Sequence, residues 1–322
     1  MQIGSLKLDN NLVLAPMAGI TDLPYRRIMK GFGAGLVYTE MVSANGLVRA
    51  GRRTRQLLRS VPEERPLGVQ LFGADPEVLA EATRLVEEDG DLLDLNLGCP
   101  VNKVIRSGAG SALLRDSRQV ARVVAATRRA THRPLSVKIR SGWDARSVNY
   151  LEIGRIVESE GADAITLHPR TRAQGFGGRS DWRQIAELKS RLSIPVIGSG
   201  DVFSAADAAE LQAVSGCDGL MVGRGGYGNP WLLREILAAQ EGKTSPAPTL
   251  AERRQVALRH LQLFIDTFGA AKAVRDMRKH LSWYSRGLAG AAAFRSRLNR
   301  TQNLEELCQA VVEFFQEPEG SR

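Results

Sequence analysis

The chain has 322 residues, of which 43% are hydrophobic and 25% charged, and these ordinary proportions exclude a mainly disordered protein. No apolar run approaches the ~20 residues of a membrane-spanning helix, and 3 cysteines are too few for a disulfide framework. Because residues 1–14 also lack the pattern of a secretory signal, we expect a cytoplasmic protein with no membrane association.

Up to residue 240, short apolar runs alternate with segments of helical periodicity. Eight runs predict strands, at residues 12–17, 36–41, 67–73, 92–97, 135–140, 164–168, 195–200 and 219–223. They are almost continuously hydrophobic, which is typical of strands buried on both faces of a parallel sheet. Five intervening segments predict helices, at residues 76–88, 117–130, 150–160, 181–191 and 204–213.

Eight strand–helix units at a mean spacing of about 30 residues fit an α/β protein with a (β/α)8 TIM barrel. An open doubly wound sheet is the alternative, but the even spacing favours closure. Residues 241–248 interrupt the pattern and predict a linker, after which segments 250–268, 271–284 and 304–315 predict helices only. The sequence therefore predicts a TIM-barrel domain over residues 1–242 followed by a C-terminal all-helical domain over residues 243–322.

Basic residues are concentrated in the predicted helical domain. The whole chain carries 44 Lys and Arg against 35 Asp and Glu, a net charge of +9. Residues 253–300 contain eleven Lys or Arg and two acids, so this segment alone holds a surplus equal to that of the chain. Such a field attracts polyanions, of which nucleic acid is the commonest. An Arg-rich, solvated helix face is the alternative.

Small or polar residues occur at the end of every predicted strand. They are Pro16-Met17-Ala18, Glu40, Gln70, Asn96 with Cys99, Lys138 with Arg140, His168 with Arg170, Gly200-Asp201 and Gly223-Arg224. In a TIM barrel these ends form the active-site face, so a ring of polar groups there predicts a polar ligand. The glycine-rich ends of the last two strands predict a phosphate-bearing cofactor, because backbone N–H groups converge at that position. The G-x-G-x-x-G spacing of residues 223–228 would suggest a Rossmann fold, but no second strand follows it.

Two reactive side chains stand out among these strand ends. Cys99 follows the fourth strand in a Gly-Cys-Pro turn, and its thiol would serve as a nucleophile beside a base or as a proton donor. Lys138 interrupts an apolar strand, so its amine would form a Schiff base or face an electron-rich ring such as reduced flavin. Cys217 and Cys308 are best explained as small buried side chains. The histidines show no ligand spacing, so we predict no metal.

Nine segments, in order along the chain, resemble motifs of the tRNA-dihydrouridine synthase family, in particular its bacterial B-type branch. They are residues 15–22 (APMAGITD), 40–41 (EM), 70–73 (QLFG), 94–100 (DLNLGCP), 138–143 (KIRSGW), 168–172 (HPRTR), 200–201 (GD), 223–224 (GR) and 279–287 (KHLSWYSRG). The similarity covers essentially the whole chain. One motif alone would be weak, but together they are highly specific.

This resemblance implies FMN-dependent reduction of the uridine C5=C6 bond in tRNA, with NADPH or NADH as the reductant. Hydride from reduced FMN would reach C6, and Cys99 would give a proton to C5 as the general acid. The basic helical domain would bind tRNA, and we assign Arg275, Arg278 and Lys279 to that surface. We expect the protein to be a monomer.

The resemblance also assigns residues inside the barrel. Asn96 would contact the target base, and Arg170 the substrate or flavin side. FMN would be held by Pro16, Met17, Ala18, Gln70, Lys138, His168, Ser199, Gly200, Asp201, Gly223 and Arg224. Ser199 departs from the Asn that the family usually carries before Gly-Asp. This change removes a side-chain amide but leaves a backbone contact to phosphate possible.

Two other functions compete with this one. A flavin barrel that acts on a free pyrimidine, like a dihydroorotate dehydrogenase, would leave the basic helical domain without a role. A non-catalytic RNA-binding protein on a decayed barrel would leave the combination of Cys99, Lys138 and Arg224 unexplained.

Overall fold

The computed structural model describes residues 1–316 and shows a barrel followed by a group of packed helices. An N-terminal hairpin, β1 (Gln2–Ile3) and β2 (Leu6–Lys7), precedes the barrel. The barrel strands are β3 (Leu12–Leu14), β4 (Val37–Tyr38), β5 (Val42–Ser43), β6 (Leu67–Phe72), β7 (Leu92–Leu97), β8 (Leu135–Arg140), β9 (Ala164–His168), β10 (Val196–Ser199) and β11 (Gly219–Val222).

All pairings between the barrel strands are parallel. The order is β3-β11-β10-β9-β8-β7-β6-β4, and β5 also pairs with β6, so β4 and β5 share one position in the ring. The ring closes between β3 and β4 through one parallel bridge, Val13 to Leu36, and the Leu14 amide donates to the Leu36 carbonyl at 2.9 Å. Eight strand positions with helices between them confirm the predicted (β/α)8 barrel.

The helices follow the strands in the predicted alternation. In the barrel they are α1 (Leu23–Gly31), α2 (Ala44–Val48), α3 (Arg52–Gln56), α4 (Pro76–Leu85), α5 (Asn102–Ile105), α6 (Ser117–Arg129), α7 (Tyr150–Ser159), α8 (Arg183–Lys189), α9 (Ala205–Ser215) and α10 (Trp231–Gln240). Local capping explains where several begin. At α4, for example, the Asp75 side chain accepts from the Glu77 and Val78 amides, and Pro76 occupies the first position.

Alternation along each strand divides the barrel into two apolar layers. Leu93, Leu95 and Leu97 of β7 belong to the outer layer, which packs against the surrounding helices. Leu92 of the same strand belongs to a smaller inner cluster with residues of the N-terminal hairpin. The alternate residues further along β7, Asp94 and Asn96, are polar and buried. The inner apolar cluster is therefore replaced by polar side chains toward the C-terminal ends of the strands.

The C-terminal region is entirely helical within the described residues. Residues 241–249 connect α10 to α11 (Leu250–Phe268), and α12 (Ala270–Tyr284), α13 (Ala291–Arg300) and α14 (Leu304–Phe314) follow. A separate hydrophobic cluster holds these helices together and includes Trp231 of α10. The sequence did not predict α13, because a run of small residues at its start obscures the helical periodicity. The predicted helical domain extends to residue 322, and residues 317–322 lie outside the described part of the chain.

Buried aromatic and histidine rings join this region to the barrel. Tyr25 of α1 lies 5.8 Å from His260 and 5.7 Å from His280, measured between ring centroids. Burial lowers the pKa of His260 to about 3 and lowers that of His280 well below the usual range. Both rings are therefore neutral at pH 7. Within residues 1–316, no helix is both long enough and apolar enough to cross a membrane.

The buried His260 makes stability depend on pH. Its folded-state pKa is depressed, so below pH ~6.5 the unfolded chain binds a proton that the folded protein excludes. We expect the free energy of unfolding to fall by about 2 kcal/mol from this residue between pH 7 and pH 5. Urea denaturation at both pH values measures the change.

The His260→Gln variant should show a smaller loss of stability on acidification than the wild type. The matched control is His132→Gln, the same substitution at an exposed histidine. An unchanged pH dependence in His260→Gln would contradict the assignment.

Candidate active site

A cavity of 290 Å³ opens at the C-terminal ends of the barrel strands. Its lining includes most residues that the sequence assigned to the site: Pro16, Met17, Ala18, Asn96, Cys99, Lys138, His168, Ser199, Gly200, Asp201, Gly223 and Arg224. Two assigned residues, Gln70 and Arg170, are not among the lining residues. Within residues 1–316, no group of three or more His, Cys, Asp or Glu side chains is arranged to hold a metal ion.

The floor of the cavity carries a cation that has no hydrogen-bond partner within residues 1–316. Lys138 of β8 lies in register with Asn96 of β7 and Thr166 of β9, so its side chain is enclosed by the barrel. Desolvation lowers the pKa of Lys138 to about 8 and the nearby Arg140 acts in the same direction, while Asp94 and Cys99 oppose the fall. Among the hydrogen bonds and ion pairs of residues 1–316, none involves the Lys138 Nζ atom. The floor is thus suited to an anionic or electron-rich ligand.

Close packing in another part of the cavity lining requires a glycine at position 200. Gly200 has φ +107°, and a Cβ atom there would lie 2.3 Å from Ser180 Oγ and 2.8 Å from His168 Cδ2. The next residue, Asp201, is also left-handed, with φ +59°. Its carboxylate accepts from Arg224 Nη2 at 3.2 Å. This turn therefore brings backbone and a guanidinium together at one end of the cavity, which suits a phosphate.

Arg170 lies behind this turn rather than in the cavity. Its side chain is buried and makes a bidentate ion pair with Asp201, at 2.9 and 2.6 Å. It also donates to the carbonyls of Gly177 and Gly178 and to Ser180 Oγ. The guanidinium thus fixes Asp201 and the loop after β9. The predicted contact of Arg170 with the substrate or flavin side stays a prediction.

Hydrogen bonding fixes the tautomer of His168. Arg170 Nη1 lies 3.2 Å from His168 Nε2, and a guanidinium can only donate. Burial, with Lys138, Arg140 and Arg170 adding to it, lowers the pKa of His168 well below its usual range. The ring is therefore neutral at pH 7, with Nε2 as acceptor and the proton on Nδ1.

Side-chain bonds to the backbone of Gly98 and Cys99 hold Cys99 in place. The Asn96 side chain accepts from the Cys99 amide at 2.8 Å and from the Gly98 amide at 3.1 Å. On β8, Arg140 Nε donates to the Gly98 carbonyl at 2.9 Å. Desolvation raises the pKa of the Cys99 thiol above its ordinary value. A thiol in this position stays protonated at neutral pH and lines the cavity, as a proton donor must.

Gln70 lies beneath the cavity floor. It is fully buried and pairs in register with Asp94, one pleat below Asn96. Its amide donates to Asp94 at 2.6 Å and accepts from Asn96 at 2.8 Å. Its predicted contact with a flavin ring stays a prediction, since both ends of the amide are engaged within the protein.

Several cavity residues were not assigned from the sequence. Arg140, Phe176, Phe203 and Tyr227 also line it. The Phe176 ring lies 4.5 Å and the Phe203 ring 5.5 Å from the Arg224 guanidinium carbon. Phe176 is 55% exposed and Phe203 is 50% exposed. Arg140 was named among the polar strand ends of the sequence without a role of its own, and it faces inward with Lys138. The two phenylalanines lie on irregular loops that carry no periodic signal.

A second, basic groove of 530 Å³ lies between the barrel and the helical region. Arg275 and Lys279, one helical turn apart on α12, line it together with Arg53, Arg59 and Lys272. Acidic side chains also border this groove, namely Asp22, Glu40 and Asp276.

Arg278, the third assigned residue on α12, lies outside this groove. It donates from Nη2 to the Thr301 carbonyl on the other side of the helix. The structure thus brings two of the three assigned basic residues to one surface.

The basic groove adjoins the cavity through one loop. Residues 15–22 join β3 to α1 and supply Pro16, Met17 and Ala18 to the cavity. In the same loop, the Gly19 carbonyl accepts a hydrogen bond from Lys279 Nζ. The Gly19 amide donates to Glu40. A ligand in the groove would therefore contact the loop that forms one wall of the cavity.

Comparison with known proteins gives a consistent assignment. The family model described as dihydrouridine synthase matches residues 13–319. A probable tRNA-dihydrouridine synthase of Rickettsia bellii is 39% identical over 318 residues, which cover 98% of this chain and 98% of that protein. The tRNA-dihydrouridine synthase B of Pseudomonas aeruginosa is 39% identical over 323 residues, covering 100% of this chain and 97% of that protein.

Solved structures with low sequence identity share the fold. The 6-hydroxypseudooxynicotine amine oxidase of Pseudomonas geniculata matches with a TM-score of 0.59 and 15% identity over 80% of this chain and 52% of that one. Histamine dehydrogenase of a Rhizobium species matches with a TM-score of 0.55 and 14% identity over 82% of this chain and 50% of that one. The chain thus spans about half the length of these structures. The family expected from the sequence motifs is confirmed: the chain belongs to the dihydrouridine synthase family.

Proposed function

We propose that the protein reduces the C5=C6 bond of uridine in tRNA, with FMN in the barrel cavity and NADPH or NADH as reductant. One observation carries this proposal. The protonated thiol of Cys99, the enclosed amine of Lys138 and the Gly223-Arg224 turn all line the same cavity. The names of the relatives, all tRNA-dihydrouridine synthases, support the same reaction.

The cavity residues fit a flavin mononucleotide. The Lys138 amine, which bonds to no group within residues 1–316, would lie beside the electron-rich part of the ring. The turns at Gly200-Asp201 and Gly223-Arg224 would hold the ribityl chain and phosphate, and Pro16–Ala18 would line the ring. Reduced FMN, when bound, supplies the hydride that goes to C6 of uracil. We therefore favour a role for Lys138 as a flavin ligand over a role in Schiff-base formation, because the turns at Gly200-Asp201 and Gly223-Arg224 are suited to the phosphate of FMN.

Cys99 would complete the reduction by protonating C5. Hydride addition at C6 places negative charge on the C4 carbonyl system, and a proton must then reach C5 from the opposite face. The raised pKa of Cys99 keeps its thiol protonated at neutral pH, which is the state a general acid requires. Asn96 and Arg140 both bond the peptide group that joins Gly98 to Cys99.

The basic groove favours an RNA substrate over a free pyrimidine. A uridine within folded tRNA must leave its stack to enter the cavity, which costs a few kcal/mol. Phosphate contacts in the groove would offset that cost. We propose that residues 1–242 form the catalytic domain and residues 243–322 the tRNA-binding domain, with Arg275 and Lys279 as phosphate ligands. Turnover of tRNA but not of free uridine or orotate tests this choice.

For the proposed reaction, the first prediction concerns flavin affinity. Replacing Lys138 with Met should weaken FMN binding ~10–100-fold, the effect of losing one charge-assisted hydrogen bond. Quenching of FMN fluorescence on titration measures it. The control is Lys103→Met on the exposed surface of α5, which should bind FMN like the wild type. Equal affinity in Lys138→Met would exclude the amine as a flavin ligand.

The second prediction concerns the proton donor. Cys99→Ala should keep FMN and tRNA binding but lower dihydrouridine formation by ~10²–10⁴-fold. Cys217→Ala is the matched control, since Cys217 is buried in the outer apolar layer and does not line the cavity. Nucleoside mass spectrometry of the tRNA gives the rate.

The pH dependence of the wild type provides a further check on the thiol. A donor must be protonated, so activity should persist through the range where an ordinary thiol ionises, near pH ~8.5, and decline only above it. Full activity of Cys99→Ala would reject the proton-donor role.

The third prediction concerns the basic groove. The double variant Arg275→Gln/Lys279→Gln should weaken tRNA binding, and the slope of log Kd against log salt should fall by ~1–2. The control is Arg122→Gln/Arg129→Gln on the exposed face of α6, far from the groove lining. If the double variant binds tRNA with the wild-type salt dependence, the RNA surface lies elsewhere.

A further inference from the structure

A continuous chain of buried hydrogen bonds runs from the barrel interior to the Cys99 loop. Ser136 of β8 donates to one oxygen of Asp94, and Gln70 Nε2 donates to the other at 2.6 Å. Asn96 Nδ2 donates to Gln70 Oε1 at 2.8 Å. Asn96 Oδ1 then accepts from the Cys99 amide at 2.8 Å. Asp94, at the buried end of this series of bonds, does not line the cavity.

Each link in this chain sets the orientation of the next. A carboxylate only accepts, so Gln70 must turn its NH₂ group toward Asp94 and its oxygen toward Asn96. Asn96 must therefore turn its NH₂ group toward Gln70, which leaves its oxygen facing the amides of Gly98 and Cys99. If both amides rotated by 180°, the Asn96 NH₂ group would face two N–H donors. The loop would then lose both bonds.

The position of Asp94 is costly for a residue with no task beyond packing. It is 1% exposed and lies between strands in the centre of the barrel. Burial raises its pKa to about 7, while the bonds from Ser136 and Gln70 oppose that rise. Protonation of Asp94 would not reverse these hydrogen bonds. One protonated oxygen of Asp94 can donate to Ser136 Oγ, while its other oxygen still accepts from Gln70.

We propose that Asp94 is a positioning residue, which acts through Gln70 and Asn96 to hold the backbone of Gly98 and Cys99 and so keeps the thiol at the cavity. The inference rests on the proposed role of Cys99 as proton donor. Asp94 contributes a hydrogen-bond acceptor, which fixes the orientation of the Gln70 and Asn96 amides. Its negative charge is not required for this role.

Two substitutions with the same branched side-chain skeleton separate these contributions. Asp94→Leu removes the acceptor, whereas Asp94→Asn can accept from Gln70 with its oxygen and donate to Ser136 with its NH₂ group. We expect the Leu variant to show a change of ~10-fold or more in the alkylation rate of Cys99 by iodoacetamide. Its kcat for dihydrouridine formation should fall ~10–100-fold, as displacement of a reacting group predicts. The Asn variant should stay within about threefold of the wild type in both measurements.

Alkylation is followed by mass spectrometry of the Cys99 peptide, in protein whose FMN content has been measured. Asp91→Asn is the control, since Asp91 bonds the Leu67 amide at the opposite end of β6 and should change neither rate. If Asp94→Leu does not fold, Gln70→Met interrupts the same chain one bond nearer the loop and takes its place.

A Leu variant with the wild-type alkylation rate and kcat would overturn the proposal. So would an Asn variant that behaves like the Leu variant, because charge rather than bond order would then be responsible. The alkylation assay needs no RNA substrate. A wild-type protein that forms no dihydrouridine, with Cys99 alkylation altered only in the Leu variant, would therefore refute the proposed function and leave the positioning role intact.

Discussion

The site depends on the amine of Lys138, for which the barrel supplies only the partial compensation of the buried Asp94 carboxylate. The Lys138 Nζ atom bonds to no other group within residues 1–316, and desolvation lowers its pKa to about 8. An ionised group held in this way destabilises the folded protein unless something completes its interactions. The polar layer directly below, around Asp94, satisfies its groups internally. The Lys138 amine faces the cavity instead, where an electron-rich ligand would complete its interactions.

The helical region contacts the lining of the cavity directly. Residues 15–22 line the cavity on one side and meet α12 on the other, where Lys279 bonds the Gly19 carbonyl. Near the cavity's far end, Tyr227 stacks on Trp283 of α12 at 4.3 Å between ring centroids. The helical region thus contacts the cavity wall at two separate places. A polyanion bound in the groove would lie against the structure that shapes the cavity.

Strand periodicity made the barrel predictable, and it also located the residues that face inward. Lys138, Asn96 and His168 could be placed at the site because their strands are continuous and their neighbours are apolar. Arg170 and Arg278 show the limit of that reasoning. Each side chain turns to partners distant in sequence, Asp201 and the Thr301 carbonyl, and no local pattern encodes that choice. The same holds for Phe176, whose irregular loop carries no period.

Burial acts in opposite senses on the two reactive groups, and the cavity brings them together. It raises the pKa of Cys99 and lowers that of Lys138, so each is biased toward its neutral form. The cations Arg140 and Lys138 act on the thiol in the other direction and lower its pKa. Before reaction, desolvation dominates and keeps the thiol protonated. If Cys99 gives up its proton as proposed, the same two cations would stabilise the thiolate, so the barrel would favour the protonated donor without opposing its release.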